Sequence, residues 1–128
     1  TFGGNPVSCA VGQAVVEVID SEGLVANAKD VGSYVLEKFT ELKVKHEMIG
    51  DVRGSGLFFG IDLVKVRDSK EPAPEAAGYV VNKMRDSGIL MSKIGEHDNV
   101  LKLRPPLCFS KENADLLVST LDEHLAAA

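Results

Sequence analysis

The sequence predicts an α+β fold, with helices packed on one side of a small, mostly antiparallel or mixed sheet in the order α-α-β-β-α-β-β-α. Three observations predict it. Long stretches at both ends and in the middle of the chain repeat apolar residues at helical spacing. Between them lie short segments that alternate with a period of two and are bounded by glycine or proline. The 128 residues, 45% of them apolar, are enough to enclose one core.

The opening, TFGGNPVSCAVG, reads as a loop entering a helix within a longer chain. Gly3 and Gly4 let backbone N–H groups come close to a ligand, Asn5 suits the N-cap, and Pro6 suits the first helical position. Val7, Ala10, Val11, Ala14, Val15, Val18 and Ile19 then carry a first helix to about Asp20, punctuated by Ser21 and Gly23. Leu24, Ala28, Val31, Val35, Phe39 and Leu42 form the stripe of a second helix ending near His46, with Glu41 and Lys45 placed as an i,i+4 pair.

Gly50, Gly54 and Gly56 divide MIGDVRGSGLFFGIDLV into a short strand, a turn and a longer strand. Leu57, Phe59, Ile61 and Leu63 share one face, and Phe58, Gly60, Asp62 and Val64 share the other. Gly60 leaves room there for another backbone or a bulky neighbour. KVRDSKEPAPE is a charged surface loop, and Ala77, Val80, Val81 and Met84 carry a third helix stopped by Gly88. ILMS reads as a short strand, KIGEHDN as a loop, and VLKL as a strand closed by Pro105 and Pro106. Ser110 caps a last helix whose stripe is Ala114, Leu117, Val118, Leu121 and Leu125.

A net charge of −5 without a basic cluster argues against nucleic acid or an anionic membrane surface as partner. No stretch approaches the roughly 18 to 20 apolar residues of a membrane span. Cys9 and Cys108 lie far apart, which points to a reduced intracellular compartment and not to a disulfide scaffold. His46, His97 and His124 are scattered, match no zinc spacing, and read as surface or loop residues; no metal is expected.

Two places have the chemistry to hold an anion. In NVLKLRPPLCFS, strand alternation sets Lys102 and Arg104 on one face, about 7 Å apart, with Leu101 and Leu103 on the other. A stiff Pro-Pro corner behind two cations suits capture of a carboxylate or phosphate; an ordinary solvated strand face is the alternative. The hydroxyl and glycines of the opening loop suit a phosphate, or else simply form a capped helix start. Asp51, Arg53 and Asp62 offer a catalytic role, but an internal ion pair or a turn role is the expectation.

TFGGNPVSCAVG, GDVRGSGLFFGIDLV and LKLRPPLCFS resemble, in order and spacing, the C-terminal part of class III pyridoxal-phosphate-dependent aminotransferases. Within the family they are most similar to the branch of ethanolamine-phosphate and 5-phosphohydroxylysine phospho-lyases, also described as alanine–glyoxylate aminotransferase 2-like. The resemblance implies a cofactor-site loop and connecting helix over residues 1–23 and a small C-terminal domain over residues 24–128. It implies that Thr1 hydrogen-bonds the phosphate of pyridoxal phosphate (PLP) across a homodimer interface. It also implies that the lysine carrying the cofactor, and the aspartate facing its ring nitrogen, lie upstream in a large domain, so this segment alone holds no catalytic residue and is inactive.

Many family members place an arginine for the substrate carboxylate where this chain has Lys102; Arg104 follows two residues later. Lys lacks the bidentate fork of Arg, which favours a substrate without that carboxylate. The expected function of the intact enzyme is therefore a phospho-lyase that releases phosphate and ammonia from a phosphorylated amine, in the mitochondrion or cytoplasm. A class III transaminase of alanine–glyoxylate type acting on an amino acid is the alternative.

Overall fold

A computed structural model describes residues 2–128. The first helix, α1, spans Pro6–Ser21, and Asn5 caps it by accepting the Ser8 N–H at 2.9 Å. α2 spans Leu24–Lys45 after a left-handed Gly23 and buries Val31, Val35, Phe39 and Leu42. β1 (Ile49–Ser55) and β2 (Phe58–Leu63) form a hairpin, and α3 covers Pro74–Asp86. β3 (Ser92–Ile94), β4 (Val100–Leu103) and α4 (Lys111–Ala126) complete the order read from the sequence.

The sheet has four strands in the order β1-β2-β4-β3, and every pairing is antiparallel. α2 packs on β1 and β2, α3 packs on β2, β3 and β4, and α4 lies against both helices. Phe59, Ile61, Leu63, Leu101 and Leu103 form the sheet side of the core. Phe39 and Phe59 meet edge to face with ring centroids 5.5 Å apart. The opposite face of the sheet carries no helix among the described residues, and there Phe58 is 53% exposed.

Several expectations are corrected. The first strand is not shorter than the second: β1 has seven residues and runs through Gly50 and Gly54. These glycines are packing positions, since a Cβ at Gly54 would lie 2.6 Å from the Phe59 ring and one at Gly50 would lie 2.8 Å from Val64. The third strand is not ILMS but Ser92–Ile94. Ile89 is spent on closing α3: left-handed Gly88 donates to Arg85 O at 2.9 Å and Ile89 donates to Met84 O at 2.8 Å, a Schellman motif. Glu41 pairs with Lys38, not Lys45.

His46 is not a surface residue; it is 9% exposed, with Nε2 2.6 Å from Asp122 Oδ1. Lys45 Nζ donates to the other oxygen of Asp122 at 2.5 Å. Together they tie the end of α2 to α4 and hold the Asp122 carboxyl below the usual carboxylate range, mainly through the Lys45 hydrogen bond and then that of His46. Arg67 Nη2 donates to the carbonyls of Lys43 and His46 at 2.6 and 2.9 Å, filling acceptors that α2 leaves free at its end.

α1 is different. It touches only α2 and buries none of its residues. Val7, Val11 and Val16 are 73%, 59% and 65% exposed. Its apolar spacing produced a helix whose face has no cover within the described chain. No helix among the described residues is long and apolar enough to cross a membrane.

Candidate anion site on the open sheet face

The open face is built by strand alternation. With Phe59, Ile61 and Leu101 buried, β2 turns Phe58, Gly60 and Asp62 outward and β4 turns Lys102 outward. Strand register aligns Arg53, Gly60, Lys102 and Ser92 in one cross-strand row. Arg53 and Lys102 thus stand two strand spacings, about 10 Å, apart at Cα, with a glycine between them.

Gly60 is the floor of this row. A Cβ there would sit 3.7 Å from Cγ and Nε of Arg53 and 3.5 Å from Val100 Cγ1. The neighbour that uses the space at Gly60 is the Arg53 side chain, in ordinary van der Waals contact. A cleft of about 300 Å³ lined by Arg53, Ser55, Phe58, Gly60, Ile94 and Val100 opens on the same face.

Asp51, Arg53 and Asp62 come together as an ion-pair cluster. Arg53 Nη1 donates to Asp51 Oδ2 at 2.8 Å and lies 3.8 Å from Asp62 Oδ2. Each carboxylate has another partner. Lys43 Nζ lies 3.9 Å from Asp51 Oδ1, and Asn99 Nδ2 donates to Asp62 Oδ1. Asn99 also donates to Leu63 O at 2.8 Å and is 7% exposed, so it fixes Asp62 from the core side. Asn99 is invisible in the sequence, because its partners lie more than thirty residues away and no local pattern marks it.

Lys102 is half-buried and Arg104 exposed, and neither is in an ion pair among the described residues. The structure does not bring the two into one cleft. Arg104 lines a separate cleft of about 330 Å³ with Gly88, Leu90, Pro106, Phe109 and Leu116, between the end of α3 and α4. Asn27 fixes the corner beside it, donating to Leu107 O and Phe109 O at 2.7 and 3.0 Å. Lys102 instead shares its row with Arg53.

At the other candidate anion site, Thr1 lies outside the described residues. Of the loop that follows, Gly4 is left-handed at φ 76, and nothing lies within 4 Å of where a Cβ would sit at Gly3 or Gly4. This loop is open to a group approaching from outside the chain.

The family model Aminotransferase class-III matches residues 1–125. A mitochondrial alanine–glyoxylate aminotransferase 2 homolog of Arabidopsis thaliana is 50% identical over 95% of this chain, which spans 26% of that protein. An ethanolamine-phosphate phospho-lyase homolog of Caenorhabditis elegans is 44% identical over 98% of this chain and 27% of its own length. Among solved structures, a phospholyase from Arthrobacter in complex with phosphoethanolamine is 44% identical, with a TM-score of 0.96 over all of this chain and 30% of that one. The chain thus spans less than a third of the length of these relatives.

Proposed function

The chain belongs to the class III aminotransferase family, and on that premise we propose that it is the C-terminal part of a PLP-dependent phospho-lyase acting on a phosphorylated amine. The observation that carries this reading is the likeness over the whole chain to a phospholyase in complex with phosphoethanolamine. Lys102 supports it: an ammonium with no counter-carboxylate among the described residues stands on the open sheet face in the slot where the resemblance places a carboxylate-binding arginine. A point charge serves a phosphate, whereas the missing fork weakens a claim on a planar carboxylate.

Residues 24–128 are then the small domain, and residues 1–23 the cofactor-site loop and connecting helix. The uncovered valines of α1 support that division, since a helix with no buried residue needs a neighbour from elsewhere in the protein. Class III aminotransferases are PLP-dependent, and when bound PLP supplies an electron sink. The unobstructed glycines of the opening loop fit the approach of its phosphate, and Thr1 would donate its hydroxyl to that phosphate from the partner subunit of a homodimer. Lys102, with Arg104 as second choice, holds the anionic end of the amine substrate. This segment supplies binding groups; the lysine that carries the cofactor belongs to the large domain, and the mitochondrion or cytoplasm is the proposed compartment.

A transaminase of alanine–glyoxylate type is the second reading, favoured by the name of the 50%-identical Arabidopsis relative. The test is product identity with the intact enzyme. Release of phosphate and ammonia from phosphoethanolamine without a keto acid supports the lyase. Turnover that requires a keto acid and releases no phosphate supports the transaminase.

A further inference from the structure

We propose that Arg53 is a second cationic ligand for the substrate's phosphate, handed over from Asp51 and Asp62 when the anion settles above Gly60 beside Lys102. This rests on the reading of the substrate as a phosphorylated amine. The geometry places the two cations in one cross-strand row with only a glycine between them. Gly60 keeps the floor flat, and the Arg53 stem lies over it at 3.7 Å. A phosphate resting there meets Arg53, which lines the cleft, and lies one strand spacing from the backbone of Lys102. Arg53 would supply the fork that Lys102 lacks.

Arg53 is held by the Asp51 and Asp62 carboxylates, and their surroundings let it leave them. The Arg53–Asp51 pair is half-exposed, with side chains 54% and 53% accessible, and Asp62 is 30% accessible, so solvent weakens the first pair most. Asp51 keeps Lys43 nearby, and Asp62 keeps the Asn99 amide, so neither carboxylate is stranded when Arg53 turns to a dianion. A phosphate with two negative charges and forked acceptors competes for the guanidinium with the half-exposed Asp51, the one carboxylate that accepts a direct hydrogen bond from it, and with the more distant Asp62. A neutral or cationic group gives Arg53 no reason to move, so this exchange makes the site selective for an amine that carries an anionic end.

The experiment uses the intact enzyme with its cofactor and inorganic phosphate as the probe. Phosphate is titrated as an inhibitor of whichever amine reaction the enzyme runs. Arg53→Gln raises the inhibition constant roughly tenfold, the loss of one charge-assisted hydrogen bond; Arg53→Lys raises it less. Asp51→Asn, which removes the nearer carboxylate, tightens phosphate, and that tightening vanishes when Arg53→Gln is added. A purely structural Arg53 predicts no such coupling. An unchanged inhibition constant in Arg53→Gln overturns the assignment, and so does tightening by Asp51→Asn that persists undiminished without Arg53. If Arg53→Gln does not fold, Asp51→Asn alone decides, and failure to tighten phosphate overturns the assignment. Absence of phosphate release from phosphoethanolamine by the wild type sinks the lyase reading only, because the inhibition test does not depend on it.

Discussion

Replacing Gly32 by alanine sets two effects of opposite sign against each other. Gly32 lies inside α2, where alanine is favoured over glycine by about 1 kcal/mol. Here, however, a Cβ would sit 2.2 Å from the Gly56 carbonyl oxygen and 2.6 Å from its carbon. Both obstacles are backbone, at the turn of the β1–β2 hairpin, so no side chain can swing aside. Normal carbon–oxygen contact needs more than 3 Å, so α2 and the hairpin must separate by about 1 Å. That separation opens the packing of Phe39 on Phe59, and overpacking of this kind costs about 1–3 kcal/mol or more. The steric cost wins, and a net loss of about 1–2 kcal/mol is expected. Gly78→Ala in α3 is the control, because nothing lies within 4 Å of its added Cβ. It stabilises by about 0.5–1 kcal/mol, since only propensity and chain entropy change. Urea unfolding of both variants measures the difference. If Gly32→Ala stabilises the chain as much as Gly78→Ala, the close approach of α2 to the hairpin that carries Arg53 and Gly60 is wrong.

Lys102→Ala in the intact enzyme raises KM for a phosphorylated amine by the loss of about 2 to 5 kcal/mol of charge contact, while the thermal midpoint moves little; an unchanged KM removes Lys102 from the site. Asp122→Asn costs about 1–2 kcal/mol at neutral pH. Because its carboxyl is held below the unfolded value of about 3.9, the native contribution is complete above that value and fades as pH falls through the lower, folded one. The wild-type and Asp122→Asn unfolding curves therefore converge in acid; a difference that stays constant from neutral pH into strong acid excludes the linkage. Thr1→Ala in the intact enzyme weakens PLP retention roughly tenfold or more, the worth of one hydrogen bond to a charged group, read by equilibrium dialysis; unchanged retention places Thr1 outside the site.

Local periodicity carried the helices. The α2 and α4 stripes placed Val35, Phe39, Leu117 and Leu121 in the core, and the Asn5 and Ser110 caps make the hydrogen bonds their positions called for. Features that depend on a distant partner were not legible. His46 is buried by Asp122, 76 residues away. β3 shifted because Ile89 closes α3, a use of its N–H that strand alternation cannot show. The same limit holds at the candidate site. Lys102 was visible as a cation on a strand face, but its row with Gly60 and Arg53 exists only through β-pairing across about 40 residues. The exposed side of α1 is the reverse case: its valine spacing was plain, yet periodicity says which residues share a face and not what covers it.

Incubating the intact, PLP-loaded enzyme with phosphoethanolamine in the absence of any keto acid, and measuring inorganic phosphate and ammonia, decides between lyase and transaminase. A phospho-lyase releases both catalytically and in equal amounts. Turnover of an amino donor that appears only when a keto acid is added, with no phosphate released, would contradict the lyase reading.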